Sequence, residues 1–377
     1  MILRPWWQRW PGRLDHEIEA LRAAGIPFDI DEGARAVGAI RLNLRPTVEG
    51  KQLNLVAVFP DLYPYVRFEV LAPDLYLEHH QNPLAKNLCL IGRSTSNWNV
   101  TDTVADFIKD RLSLVLKAAH AGNSYEAESI EEHQGEPVSN YYPYEPNAMV
   151  MVDSSWSLPT TCTQGELVIG LPDQVGPVLR GVALEILDSG GTLLASVDPA
   201  LLPLYPRRIR GRWFRAQKPA PAANPRRFLE DHAREHKKIQ HPLWRPLVNN
   251  WRVDVVGVLF PEEVRYREIG DGWIFVVQAE ESKPGQGTRH AIYFARAGRV
   301  GRADITSRVP ELTPLTNRRV VVIGLGGIGA PSAIEFARCG VGELRVLDRD
   351  VIEPGTIVRW PLGIAAAGLM KAAAIKQ

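Results

Sequence analysis

Apolar positions recur at helical spacing in two stretches of the first third of the chain. Over Arg13 to Ala24 they bring Leu14, Ile18 and Leu21 to one face before Gly25 and Pro27, and over Thr101 to Ala118 they align Val104, Ile108, Leu112 and Leu116; both predict helices. Between the two helices lie RAVGAIRLNL, KQLNLVAVF and VRFEVLA, runs rich in branched and apolar residues. Turn residues such as Glu49-Gly50 and the FPDLYPY stretch separate them, which predicts an antiparallel meander. Apolar content then drops through EAESIEEHQGEP and YYPYEP, the composition of a linker. Further β-type runs follow, including ELVIGL, VDVVGVLF, GWIFVVQA and HAIYFA, with one helical stretch from Arg226 to Lys238. Near the C-terminus RRVVVIG is continuously apolar, the pattern of a strand buried on both faces of a parallel sheet, and APSAIEFARCG and ELRVLD follow as helix and second strand. The expected class is therefore α+β and multidomain: a meander domain over 1–121, a linker over 122–148, a β-rich middle over 149–310 and a strand–helix–strand unit over 311–377.

Composition narrows the function classes. At 377 residues, 45% apolar and 23% charged, the chain can bury more than one core. Forty-four basic against forty-three acidic residues give a net charge of +1, which offers no bulk attraction to nucleic acid or an anionic membrane. The basic run RRIRGRWFRAQK is accordingly read as a solvated surface segment. Three widely spaced cysteines, Cys89, Cys162 and Cys339, make neither a disulfide framework nor a short-spaced metal site, and fit a reducing cytoplasm. No run approaches the roughly 18 apolar residues of a membrane helix.

The strand RRVVVIG runs directly into Gly324-Leu325-Gly326-Gly327-Ile328-Gly329. This is the glycine turn of a Rossmann-like nucleotide unit: glycines permit close backbone approach, a helix N-terminus supplies amide donors for phosphate, and the acid closing the second strand, Asp348, can hold a ribose. Beyond it stand a second acid, Asp350, and two cations, Arg359 and Lys371, which suit ATP better than a dinucleotide. From Arg308 to Lys371 the chain resembles the opening of the ThiF/ubiquitin-activating adenylation family. By that resemblance the four glycines cradle ATP, Asp348 and Asp350 lie at its ribose side, and Arg359 and Lys371 contact phosphates. Thr356 stands where the family commonly has asparagine. Family members continue for more than a hundred further residues, which carry a magnesium-binding acid and often a transfer cysteine, so the adenylation half is expected to be incomplete here and Mg2+ to enter only with the remainder.

A lone cysteine is ordinarily a small buried apolar residue. Cys89 has a more specific context. The order helix, meander, Phe59-Pro60 with Tyr63-Pro64, His80-Gln81-Asn82, Cys89, then Trp98 and a second helix is similar to ubiquitin-conjugating enzymes. That resemblance implies Cys89 as a thioester carrier and Asn82, with Asn87 as a fallback, as the oxyanion donor; Gln81 replaces the usual proline. The pair His79-His80 lacks further ligands nearby in sequence and is read as having a structural or loop role, while Cys162 and Cys339 are read as structural.

The two resemblances together are those of bacterial fusion proteins, including some in antiphage CBASS operons. They imply ATP-dependent activation of a ubiquitin-like modifier or other protein C-terminus and its transfer through Cys89 to a target amine, a CBASS nucleotidyltransferase being one candidate target. They also imply a homodimer. Two other readings are a scaffold whose conjugation domain no longer transfers anything, and an NAD-dependent oxidoreductase, which Arg359 and Lys371 disfavour.

Overall fold

A computed structural model describes residues 4–77, 79–91, 97–119, 136–172, 178–217, 219, 222–234, 236, 239, 241–248, 251–265, 268–283, 287–301, 304 and 309–376. The chain is mixed α/β with a β-barrel at its centre. Helix α1 (Pro11–Ala23) carries proline at its first turn, where the missing N–H costs nothing, and buries Leu14, Glu17 and Leu21. Helix α2 (Val104–Ala119) opens on a reciprocal cap: Asp106 accepts from the backbone N–H of Thr103 at 2.9 Å, and Thr103 Oγ1 accepts from the N–H of Asp106 at 3.3 Å. Between the helices lies an antiparallel sheet in the order β1 (Phe28–Ile30), β2 (Ile40–Leu44), β3 (Leu55–Phe59), β4 (Glu69–Leu71). Strands β2 and β3 alternate buried and less buried residues, and Ile40, Leu42, Leu44, Leu55, Ala57 and Phe59 join one core with Leu21 and Leu112. The first apolar run begins differently from expectation. Its Arg35–Gly38 portion closes a short helix, Glu32–Ala36, whose N-cap Asp31 accepts from Ala34 N–H at 2.9 Å, and the strand starts only at Ile40.

Strand β5 (Tyr144–Asp153) begins inside the stretch read as linker. With β6 (Gln164–Leu171), β7 (Arg180–Asp188), β8 (Arg207–Arg215), β9 (Trp251–Arg265), β10 (Glu268–Lys283) and β11 (Gly287–Val300) it closes a ring in the order β5-β11-β10-β9-β8-β6-β7 and back to β5. Side chains from all of these strands, among them Trp213, Leu167, Val255 and Phe275, fill the interior as in other small barrels. The intervening residues Phe214, Val256, Ile274 and Phe294 face outward and are covered by helix α3 (Pro225–His232) and Tyr142. The basic run is therefore not a solvated segment: it is β8, in which Trp213 and Phe214 are fully buried. Arg212 is buried with them because its Nη2 lies 2.7 and 2.6 Å from the two carboxylate oxygens of Asp254.

The C-terminal unit pairs β12 (Arg319–Ile323) with β13 (Glu343–Leu347) in parallel, joined through helix α4 (Gly329–Arg338). Among the described residues β12 pairs only with β13. Val320 and Val322 are half-buried, whereas Val321 and Ile323 are 53% and 81% exposed. Among the described residues no helix is long and apolar enough to cross a membrane.

Candidate functional site

Cys89 is presented by a short antiparallel hairpin added to the β4 edge of the meander. Gln81 pairs with Leu88 and Leu71 bridges Asn87, while Leu88 N–H donates to Val70 C=O at 2.8 Å. Burial alternates along this ribbon: Gln81, Leu88 and Leu90 are buried and Cys89 is exposed. The pleat thus turns the thiol outward while its neighbours anchor it. Gln81, which stands where the resemblance has proline, donates from Nε2 to Ala72 C=O at 2.9 Å and accepts Leu77 N–H at 2.9 Å, so its amide ties the hairpin to the sheet.

Asn82 occupies the opposing strand of the same hairpin. Its N–H donates to Asn87 C=O at 2.9 Å, and the N–H of Cys89 donates to His80 C=O at 2.8 Å. The Asn82 side-chain oxygen accepts from the N–H groups of Leu84 and Ala85 at 2.9 and 3.0 Å. This fixes the carboxamide oxygen in the turn, and the NH2 half is what Asn82 can offer an oxyanion. Trp98 donates from its indole to Pro64 C=O at 3.0 Å and packs against Phe68 and Phe107, tying the segment after Cys89 to the FPDLYPY turn and to α2.

Two residues absent from the sequence reading reach this hairpin. Glu136 accepts the His80 N–H at 2.6 Å, and its other oxygen lies 3.4 Å from His80 Nδ1. Burial alone would raise the Glu136 pKa, but hydrogen bonding and charge from His80, with a smaller contribution from His79, hold it below the usual carboxylate value. Glu263, on barrel strand β9, accepts the Glu136 N–H at 3.0 Å and lies 3.6 Å from His79 Nδ1. The separation of 127 residues between Glu136 and Glu263 hides such a contact from any local pattern.

At the other end of the chain the glycine turn joins β12 to α4. A Cβ on Gly329 would stand 1.8 Å from the carbonyl oxygen of Gly324, and Gly324 itself has φ +87°. A Cβ on Gly327 would come within 3.2 Å of the Arg359 side chain, which places Arg359 beside the turn, while one on Gly326 meets nothing within 4 Å. Asp348 braces the loop: one carboxylate oxygen accepts Leu325 N–H at 2.5 Å and the other accepts Asp350 N–H at 2.8 Å. Backbone hydrogen bonds, first from Asp350 and then from Leu325, lower its pKa. Asp350 holds Lys371 Nζ at 3.2 Å, and Trp360 donates its indole N–H to Leu325 C=O at 2.7 Å. Thr356 donates its hydroxyl to Glu353 C=O at 2.7 Å. The structure therefore gathers Gly324, Gly326, Gly327, Gly329, Asp348, Asp350, Arg359 and Lys371 around one turn. Cys162 packs against the barrel core, and Cys339 is the C-cap of α4.

Residues 18–151 match the model of prokaryotic E2 family B, and residues 302–377 match that of the ThiF family. The uncharacterized proteins y4oA and y4qC of Sinorhizobium fredii are 31% and 29% identical to this chain over 98% and 96% of its length, and the chain spans 64% and 62% of theirs. The adenylyltransferase and sulfurtransferase UBA4 of Eremothecium gossypii is 33% identical over 85 residues, 22% of this chain and 19% of that protein.

Proposed function

We propose that this chain, which carries an E2-like segment ahead of a ThiF-like segment, serves the activation of a ubiquitin-like modifier or similar protein C-terminus and passes it as a thioester through Cys89 to an amine on a target protein. The observation that carries this reading is the hairpin that exposes Cys89 on one strand and sets Asn82 on the other. In the transfer, the Cys89 thiolate attacks the activated carbonyl and expels its leaving group, forming an S–C bond. A target amine then attacks that thioester carbon. The Asn82 NH2 donates to the oxyanion of the tetrahedral intermediate, which collapses by breaking the S–C bond, and the amine proton passes to solvent.

The glycine turn supports ATP as the source of activation. It leaves open space over Gly326, three residues before the first residue of α4, and has Arg359 beside it and Lys371 on Asp350 as cations for phosphate. When bound there, ATP with Mg2+ would supply the energy that activates a carboxyl group. Gly324, Gly326, Gly327 and Gly329 would admit the phosphates, with Asp348 holding the loop in shape and Asp350 keeping Lys371 at its edge.

The test is a mass-shifted, reductant-sensitive adduct on the full-length protein, formed with ATP and its modifier and absent from Cys89→Ala. No adduct under those conditions leaves the scaffold reading in its place.

A further inference from the structure

We infer that the barrel is a working part of the cysteine site: Glu263 of β9, acting through Glu136, positions the hairpin that carries His80 and Cys89 for acyl transfer. This deepens the thioester-transfer reading above and rests on it.

The contacts form a continuous path of hydrogen bonds. Glu263, only 8% exposed, accepts from Glu136 N–H at 3.0 Å; Glu136 accepts from His80 N–H at 2.6 Å; and His80 C=O accepts from Cys89 N–H at 2.8 Å. The intermediate segment is clamped by a second carboxylate of the same strand. Glu262, 3% exposed, accepts from both the N–H and the hydroxyl of Ser139, at 2.9 and 3.0 Å. Residues 136–139 therefore cannot shift without breaking bonds to buried carboxylates, which is costly. Ordinary packing between neighbouring domains needs apolar area and does not need this arrangement. The bonds converge instead on the backbone of His80, a non-glycine residue at φ +62°, a conformation that surroundings must impose. His80 is the residue whose carbonyl holds the Cys89 amide, and it is followed two positions later by Asn82. Glu136 and Glu263 are positioning residues: through the backbone of His80 they fix the ribbon that carries both Cys89 and Asn82. A small misplacement of such groups is enough to slow transfer.

Full-length protein carrying Glu136→Ala, Glu263→Ala or Glu263→Gln tests this by amide hydrogen exchange and by acyl transfer. The probe is a glycine-terminated peptide thioester of mercaptoethanesulfonate. The Cys89 thiolate attacks its carbonyl, mercaptoethanesulfonate leaves as thiolate, and the acyl group then passes from sulfur to the amine of added lysine, whose proton goes to buffer. Cys89→Ala sets the background from the other cysteines of the protein, Cys162 and Cys339 among them. Both alanine variants are expected to exchange the His80–Cys89 amides about tenfold faster and to discharge to lysine about tenfold more slowly, with charging of Cys89 little changed. Glu263→Gln, which keeps a carbonyl acceptor for the Glu136 N–H, should lie near wild type. Glu136→Ala keeps the test open if Glu263→Ala loosens β9 itself, which exchange in β10 would reveal. Unaltered exchange and discharge in the alanine variants overturn the proposal, and so does faster exchange with discharge at the wild-type rate. If wild-type protein accepts no acyl group from the probe, the transfer reading fails separately, and the exchange comparison still decides whether the barrel holds the hairpin.

Discussion

Glu17 is fully buried on α1, where Arg13, Tyr63 and Val104 donate to its carboxyl. Arg13 Nη2 lies 2.8 Å away, Tyr63 donates its hydroxyl, and the N–H of Val104 donates at 2.9 Å from the first turn of α2. One side chain thereby joins the first helix, the FPDLYPY turn and the second helix. Burial is the largest influence on its pKa and raises it from 4.5, against the pull of Tyr63, Val104 and Arg13. A carboxyl with a raised folded pKa stabilises the fold below its unfolded pKa, and that contribution is lost as the pH rises through the folded value. Glu17→Gln cannot titrate. Denaturation of the two proteins between about pH 4 and about pH 7 should therefore show wild type losing stability relative to the variant as pH rises. A gap between them that does not change with pH would refute this assignment. Asp348 has the opposite sign: backbone hydrogen bonds lower its pKa, so its contribution is lost on acidification.

At the scale of elements, the glycine turn holds one glycine whose Cβ would strike backbone, Gly329, and one whose Cβ would meet nothing within 4 Å, Gly326. Alanine at Gly329 would drive a Cβ into the Gly324 carbonyl, so Gly329→Ala should disrupt the β12–α4 junction and abolish ATP binding together. Alanine at Gly326 meets nothing in the chain, so Gly326→Ala should leave the fold intact and weaken ATP binding alone. Calorimetric titration of the full-length variants with ATP, alongside far-ultraviolet circular dichroism, tells these apart; equal binding by Gly326→Ala and wild type would count against the nucleotide reading. The strand–turn–helix–strand order was legible in the sequence because the turn, helix and strand-end acid are local, as was α2, whose apolar period and Thr103–Asp106 cap lie within one segment. Strand β1 escaped notice because three residues, Phe28–Ile30, carry no period. The basic run read as surface is β8, because the partner that lets Arg212 be buried is Asp254, 42 residues away. Contacts of that separation, like Glu136 with Glu263, leave no local trace in one sequence.

Across the whole molecule, the described buried apolar residues fall into separate cores. One spans Trp6 to Val115, two line the inner and outer faces of the barrel between Val138 and Ala295, and another lies between Leu325 and Ala374. The link between the hairpin and the barrel is polar, made of His79, His80, Glu136 and Glu263, and can transmit geometry without merging the cores. Such a chain should not unfold as one cooperative unit. Leu112, fully buried in the first core, and Phe275, fully buried in the barrel, provide independent handles. Leu112→Ala should cost about 2–5 kcal/mol and Phe275→Ala about 3–5 kcal/mol, each within its own unit. Region-resolved hydrogen exchange through a denaturant series should show Leu112→Ala shifting the transition of α2 and β2 while that of β10 stays in place, with the reverse for Phe275→Ala. If either variant moved both transitions by the same amount, the cores would be thermodynamically one, and the barrel would be a continuation of the cysteine domain rather than a support pressed against it.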